Sequence, residues 1–197
     1  MPPVDNPVRD AAAMAARLAR LGFDVVKGIN LNLRKIGDVQ SSFQDKLSNL
    51  KPEVALLFYA GHGLQVEGRN YIVPIDAEIT TKSHLATRTL LFNDLLDEMV
   101  REAKATIIFL DACRENPFTR NLARSLGDSS RDIGVRGGLA RMEKVAGTFI
   151  AYATAPDRVA YDGKGANSPF TSALLAHIET PGLSVGDLMI DVRNRVL

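Results

Sequence analysis

The sequence predicts an α/β domain of three layers, in which a mainly parallel sheet lies between two layers of helices. The first observation is a pair of apolar runs, Val54–Tyr59 and Ile107–Leu110, which are typical of strands buried on both faces. The second is the alternation of such runs with segments of helical periodicity, which favours parallel strands joined through helices. The 197 residues suffice for one domain with a sizeable core, so 1–197 is treated as a single domain.

Helices and strands are predicted to alternate along the chain. Asn6 and Pro7 suit the cap and the first position of a helix, and Lys51-Pro52 ends the next helix because proline cannot continue it. The other predicted elements are a short strand at Phe23–Val26, helices at 33–50, 93–100, 168–178 (capped by Ser168) and 183–196, a hairpin return with an edge strand at 68–77, and a strand at 147–154.

Residues 119–146 have a different character from the rest of the chain. They lack clear periodicity, and they contain several glycines and a set of basic residues: Arg120, Arg124, Arg131, Arg136, Arg141 and Lys144. A long segment of this kind is usually a functional loop or a linker, so we predict no helix or strand within it.

Composition excludes several classes of function. The net charge of +1 gives no reason to expect a nucleic-acid or anionic-membrane partner. The single cysteine excludes an internal disulfide framework and a cysteine-rich zinc site. No apolar run approaches the roughly 20 residues that span a bilayer, and the N-terminus lacks a signal-peptide core. A cytoplasmic location is the expectation.

Two reactive side chains follow the two buried runs. His62 comes after the first run, within Gly61-His62-Gly63, and Cys113 comes after the second. Sites in open parallel sheets form beyond the carboxyl ends of the strands, so neighbouring parallel strands would bring these residues to one edge. A thiolate is the reactive form of cysteine, and a nearby imidazole can take the thiol proton. Taken singly, each residue also has a structural interpretation, as an inert small side chain or a solvated turn residue.

The residues around both positions resemble the catalytic motifs of the caspase–metacaspase superfamily. The motifs are Tyr59-Ala60-Gly61-His62-Gly63 and Asp111-Ala112-Cys113-Arg114, with the histidine about 50 residues before the cysteine. Asn70-Tyr71-Ile72-Val73-Pro74-Ile75-Asp76 and Ala151-Tyr152-Ala153-Thr154-Ala155-Pro156 are similar to segments of the bacterial members, the orthocaspases. The similarity covers nearly the whole chain and implies a caspase-haemoglobinase-like fold.

The resemblance implies a cysteine endopeptidase with a Cys-His dyad. His62 would be the general base and acid, Cys113 the nucleophile, and the amides of Gly63 and Cys113 the oxyanion donors. Asp111 and Asp10 match the acidic walls of the metacaspase specificity pocket, which implies cleavage after Arg or Lys in protein or peptide substrates. The positions of the two subunit portions in the family imply a large-subunit-like part at 1–118, a linker at 119–146 and a small-subunit-like part at 147–197, with self-cleavage at the basic residues of the linker.

The sequence departs from the family pattern at two places. Arg114-Glu115-Asn116-Pro117 follows the cysteine where metacaspases usually have His-Ser-Gly, a form associated with bacterial relatives. The family also has a central strand before the Asn6 helix. The five residues ahead of Asn6 are too few and too polar to form it, so we expect the sheet to lack this strand and its neighbours to have unpaired ladder groups.

Other functions are weighed against the peptidase. A catalytically silent caspase-like interaction module is the alternative, although it gives no reason to keep both His62 and Cys113. A nucleotide-binding domain lacks the glycine-rich fingerprint after its first strand, and a metal site through His62 and Cys113 lacks ligands. No cofactor is expected. Calcium activates some metacaspases, but no acidic cluster in the sequence demands it.

Overall fold

The structure is a computed structural model that describes residues 5–113, 136–137, 139–140, 142, 145–153 and 165–196. At Asp5, Cys113, Arg136 and Gly137 it describes the backbone.

The centre of the domain is a mixed sheet in which the two longest pairings are parallel. The strand order is β3-β2-β1-β4-β6, and β5 pairs with the far end of β1. β1 runs parallel to β4 over nine residue pairs, and β4 runs parallel to β6 over five, as the buried apolar runs predicted. The strands are β1 (Val54–Val66), β2 (Arg69–Ile72), β3 (Leu90–Leu91), β4 (Ala105–Cys113), β5 (Arg136–Gly137) and β6 (Thr148–Tyr152).

Helices cover both faces of the sheet, which confirms the three-layer α/β prediction. The described helices are α1 (Asp5–Arg20), α2 (Leu33–Leu50), α3 (Ser83–Arg88), α4 (Phe92–Glu102), α5 (Pro169–His177) and α6 (Val185–Val196). One core packs α2 and α4 against the sheet around Leu47, Met99 and Ile108. The other packs α1, α5 and α6 against the opposite face around Met14, Phe109 and Leu174. Alternate residues of β4 therefore serve opposite cores, as the two-residue period of a strand requires.

Four local predictions need correction, and the fourth is the edge strand at 68–77, because β2 pairs with β1 on one side and with β3 on the other. The first helix begins at Asp5, so Asn6 lies in its first turn and is not its cap. Phe23–Val26 forms no strand, although Phe23 and Val25 pack against the core of α1, α5 and α6. A strand requires a neighbour to complete its hydrogen bonds, and no described strand lies beside this segment.

The third correction concerns 119–146, where no strand was expected. β5 (Arg136–Gly137) pairs antiparallel with Leu64 and Gln65 of β1. Ala140, which follows β5, is hydrogen-bonded to the side chain of Asn70. Asn70 accepts from the amide of Ala140 at 2.6 Å and donates to its carbonyl at 2.9 Å. Apart from 136–137, 139–140, 142 and 145–146, the residues of 119–146 lie outside the described residues, and these include all of its basic residues but Arg136.

One edge of β1 has no neighbouring strand over its first half. Beyond Val54–Phe58, away from β4, the described residues place no strand. The edge borders a cavity of about 880 Å³, which is lined mostly by apolar side chains of α1, α2, β1 and residues 22–31. Phe23–Val26 and this edge of β1 line the same cavity. The absence of a central strand from the sheet stays a prediction.

Candidate active site

The strand register brings the two predicted reactive positions together. His62 and Cys113 are Cα partners at the carboxyl ends of β1 and β4, and these two strands are parallel neighbours. Neighbouring strands lie about 4.8 Å apart, so the two backbones meet at one edge of the sheet. The edge is where sites form in open parallel sheets, and the sequence placed both residues there.

The backbone of His62 is held in place by two hydrogen bonds to its carbonyl oxygen. The hydroxyl of Tyr59 donates to this oxygen at 2.7 Å, and the amide of Val73 donates to it at 3.1 Å. Tyr59 lies on the same strand, so its ring must reach past Gly61 to make the bond. A β-carbon at Gly61 would lie 2.7 Å from the Tyr59 hydroxyl, and the φ of Gly61 is +155°. Gly61 is therefore required both by its backbone conformation and by the close approach of Tyr59.

Gly63 lies on the other side of His62 and is buried. A β-carbon there would lie 2.7 Å from Cδ2 of Leu139 and 3.5 Å from the β-carbon of Ala112. Leu139 follows β5, so the close packing at Gly63 joins the candidate site to the segment beyond it. The role of the Gly63 and Cys113 amides as oxyanion donors stays a prediction.

The two predicted acidic walls, Asp10 and Asp111, meet at a single residue, Ser168. Both carboxylates are buried, with exposed fractions of 1% and 6%. The backbone amide of Ser168 donates to Oδ1 of Asp10 at 3.1 Å, and its hydroxyl donates to Oδ2 of Asp111. α1 and β4 thus bring to one point two carboxylates that lie about 100 residues apart in the sequence. Asp111 is two residues before Cys113, so this pair lies beside the carboxyl edge of the sheet.

Two further side chains donate hydrogen bonds to the carboxylates. Asn167 donates its Nδ2 to Asp10 Oδ1 at 2.8 Å, and the hydroxyl of Thr171 donates to Asp111 Oδ2 at 3.3 Å. Burial raises the pKa of Asp10 above its ordinary value. The hydrogen bonds from Asn167 and Ser168, and the charge of Arg9, act in the opposite direction but do not cancel the effect of burial.

Sequence reasoning missed Asn167, Ser168 and Thr171 as members of the site. It did assign Ser168 as the cap of a helix, and the structure confirms the assignment, because the Thr171 amide donates to the Ser168 hydroxyl at 3.0 Å. The polar run Asn167-Ser168 before Pro169 is the only signal in the sequence, and capping explains it fully. The bonds of Ser168 to Asp10 and Asp111 depend on long-range packing, which local sequence patterns do not indicate.

A resident metal ion would need a cluster of ligating side chains among the described residues. No cluster of three or more His, Cys, Asp or Glu side chains that could hold an ion occurs among them. Of the helices in the described ranges, none combines the length and the apolar character needed to cross a membrane.

Comparison with known proteins identifies the family. The family model described as the caspase domain matches residues 1–197, while no curated protein matched the chain. The mixed sheet flanked by helices agrees with the fold of that family. Membership in it indicates a cysteine peptidase. Because the match covers the chain from its first residue to its last, the protein belongs to the caspase domain family.

Proposed function

We propose that the protein is a cysteine endopeptidase that cleaves after Arg or Lys, with Cys113 as nucleophile and His62 as general base. One observation carries the choice of substrate: two buried carboxylates, Asp10 and Asp111, converge beside the carboxyl edge of the sheet. The Cα pairing of His62 with Cys113 supports the dyad, since it fits a base and a nucleophile that share one edge.

The reaction follows from the chemistry of the two groups. His62 takes the proton of the Cys113 thiol, and the thiolate attacks the scissile carbonyl carbon to form a tetrahedral oxyanion. When the oxyanion collapses, the peptide C–N bond breaks, and the imidazolium returns the proton to the leaving amine. Water then attacks the thioacyl carbonyl with His62 as base, which releases the acid and restores the thiol. The bonds from Tyr59 and Val73 to the His62 carbonyl fix the backbone that carries the imidazole.

The preference for a cation follows from the cost of burying charge. A buried carboxylate loses its hydration, and the donors that the structure describes on Asn167, Ser168 and Thr171 are neutral groups. A guanidinium or ammonium group adds charge-assisted hydrogen bonds, which are stronger than bonds from neutral donors. Replacing that cation by a neutral isostere should cost about 2–5 kcal/mol. An aspartate side chain in the same place would be repelled.

The test compares fluorogenic peptides that differ only in the residue before the scissile bond: Arg, Lys, citrulline and Asp. We expect hydrolysis of the Arg and Lys peptides, a kcat/KM at least about 30-fold lower for citrulline, and no turnover of Asp. Cys113→Ala should abolish all turnover, and Asp111→Asn should reduce the discrimination between Arg and citrulline, since Asp10 remains. Asp97→Asn, the same change at an exposed position of α4, is the matched control.

Two outcomes would overturn the proposal in different ways. Equal turnover of the Arg and Asp peptides would refute the specificity while keeping the peptidase. A folded protein that hydrolyses none of the peptides, and whose Cys113 does not react with a thiol-directed peptidyl probe, would instead be the catalytically silent interaction module.

A further inference from the structure

The turn that precedes α5 is fastened to α1 and to β4 through the two carboxylates. Asp10 of α1 accepts from Asn167 Nδ2 and from the Ser168 amide, and Asp111 of β4 accepts from the Ser168 hydroxyl. Arg9, next to Asp10, donates its Nε to the carbonyl of Ala166 at 2.5 Å. The turn is thus hydrogen-bonded to both elements at one place, so its position constrains the spacing of the carboxylates.

Ser168 has a more demanding part in this arrangement than a helix cap requires. Its hydroxyl accepts from the Thr171 amide at 3.0 Å, which satisfies the cap, and it also donates to Asp111. Its amide donates to Asp10 at 3.1 Å. One residue thus serves as acceptor for the helix and as donor to each of two buried acids. Alanine could keep the amide bond to Asp10, but it would lose both functions of the hydroxyl.

We propose that Ser168 is a positioning residue for substrate specificity: it holds Asp10 and Asp111 as an adjacent pair so that both contact one cationic substrate side chain. The inference rests on the proposed function, since it concerns the same two carboxylates. Two carboxylates that each lie within hydrogen-bond distance of one residue are close enough for a single guanidinium to reach both through its fork of donors. Separate carboxylates would each bind the cation weakly, so the pairing itself is what Ser168 contributes.

The chain offers a matched control for the capping function. Ser184 caps α6, where its hydroxyl accepts from the Asp187 amide at 3.1 Å and donates to the Asp187 carboxylate at 2.7 Å. Ser184 therefore has the same cap chemistry and also donates to an acid, but its partner is exposed and lies on its own helix. Ser184→Ala measures the loss of a serine cap without any change in the carboxylate pair. Ser168→Thr keeps a hydroxyl and a capping side chain in place, and it tests rescue.

The first measurement is calorimetric binding of agmatine, a small guanidinium compound, to the full chain carrying Cys113→Ala. We expect agmatine to bind, Ser168→Ala to weaken its affinity about tenfold or more, and Ser168→Thr and Ser184→Ala to leave the affinity within about threefold. Unfolding by urea is followed for each variant, so that a loss of stability is recorded separately from a loss of affinity. If Ser168→Ala does not fold, agmatine binding is measured for Asn167→Ala instead. This variant should also bind agmatine more weakly, because Asn167 donates to Asp10.

The second measurement separates this inference from the proposed function. In a protein that turns over the Arg peptide, Ser168→Ala should raise KM for that peptide about tenfold, change kcat less, and leave the citrulline peptide unaffected. Agmatine binding needs no turnover, so an inactive protein that still binds agmatine through Ser168 supports the pairing and refutes only the peptidase. The inference is overturned if agmatine does not bind the folded protein, or if it binds the Ser168→Ala and Ser184→Ala variants equally well.

Discussion

At the scale of single residues, Asp10 shows how packing changes the properties of a carboxyl group that the sequence had already identified as a candidate site residue. The sequence identified Asp10 by its resemblance to an acidic pocket wall, and its local context was also that of an ordinary charge in the first turn of a helix. In the structure it is buried and bonded to Asn167 and Ser168, which belong to the opposite end of the chain. A helix-surface role is therefore wrong for this residue.

The raised pKa of Asp10 predicts a specific dependence of stability on pH. In the unfolded chain the carboxyl has its ordinary value of 3.8, so just above that pH the folded state binds more protons than the unfolded state. The stability due to this protonation is fully present below the ordinary value and is lost as the pH rises through the raised value. Asp10→Asn removes the titration, so its stability relative to wild type should increase from about pH 3.5 to pH 7.

Urea unfolding of wild type and Asp10→Asn across this range measures the effect. Asp97→Asn is the control, since it makes the same chemical change on the exposed face of α4. If the stability of Asp10→Asn relative to wild type stays constant or falls as the pH rises, the assignment is contradicted.

At the scale of elements, β1 is the strand on which the site depends, and its two edges differ. The carbonyl of Glu53 accepts from the Ala105 amide, and the carbonyl of His62 accepts from Val73 on the other side. Because backbone groups of successive residues in a strand point to opposite edges, Ala55 and Leu57 bond to β4 while Leu56 and Phe58 point away from it. No described strand lies where Leu56 and Phe58 point.

Amide hydrogen exchange should therefore alternate along the first half of β1. We expect the Ala55 and Leu57 amides to exchange slowly and those of Leu56 and Phe58 to exchange faster, because exchange from a bonded amide requires opening of the ladder. β4 provides the internal control: it has β1 on one edge and β6 on the other, so both Ile107 and Ile108 should be slow. Uniform protection along Ala55–Phe58 in the NMR exchange experiment would show that this edge of β1 is covered.

At the scale of the whole molecule, the domain joins an N-terminal part that holds His62 and Asp10 to a C-terminal part that holds Ser168. The two parts meet in the core of α1, α5 and α6 and through Arg17 of α1, which bonds Glu179 at 2.6 Å. The segment between β4 and β6 carries basic residues and connects the two parts. Cleavage within 119–146 would not cut the residues of this core or the Arg17–Glu179 ion pair. The self-cleavage that the family resemblance implies is therefore compatible with an intact fold.

Intact mass spectrometry tests self-processing directly. If the protein cleaves after Arg or Lys, purified wild type should contain two fragments whose boundary follows one of the basic residues between 119 and 146. Cys113→Ala prepared in parallel should retain the mass of the full chain. Identical full-length masses for both proteins would exclude self-processing. Identical cleavage of both proteins would instead assign the cut to a protease of the expression host.

The sequence by itself determined the fold class, and it predicted His62 and Cys113 as the reactive residues, because both inferences depend on local signals. The runs Val54–Tyr59 and Ile107–Leu110 are apolar enough to be recognised as buried strands without any partner, and the residues that follow them carry the family motifs. Two predictions about strands were wrong because local composition does not show whether a segment has a neighbouring strand. Phe23–Val26 has strand composition but no neighbouring strand among the described residues, and the β5 segment has a neighbour but no strand composition.

Only the tertiary structure decided that Asp10, Asp111 and Ser168 form one cluster, and that Tyr59 and Val73 share the His62 carbonyl. These contacts join residues whose separation in the chain has no period or spacing rule. The packing of α1 and α5 on one face of β4 brings them together, and burial then sets the pKa of Asp10. Hydrophobic periodicity determines which face of an element is buried, but the polar groups that meet at that face depend on how the elements are arranged in space.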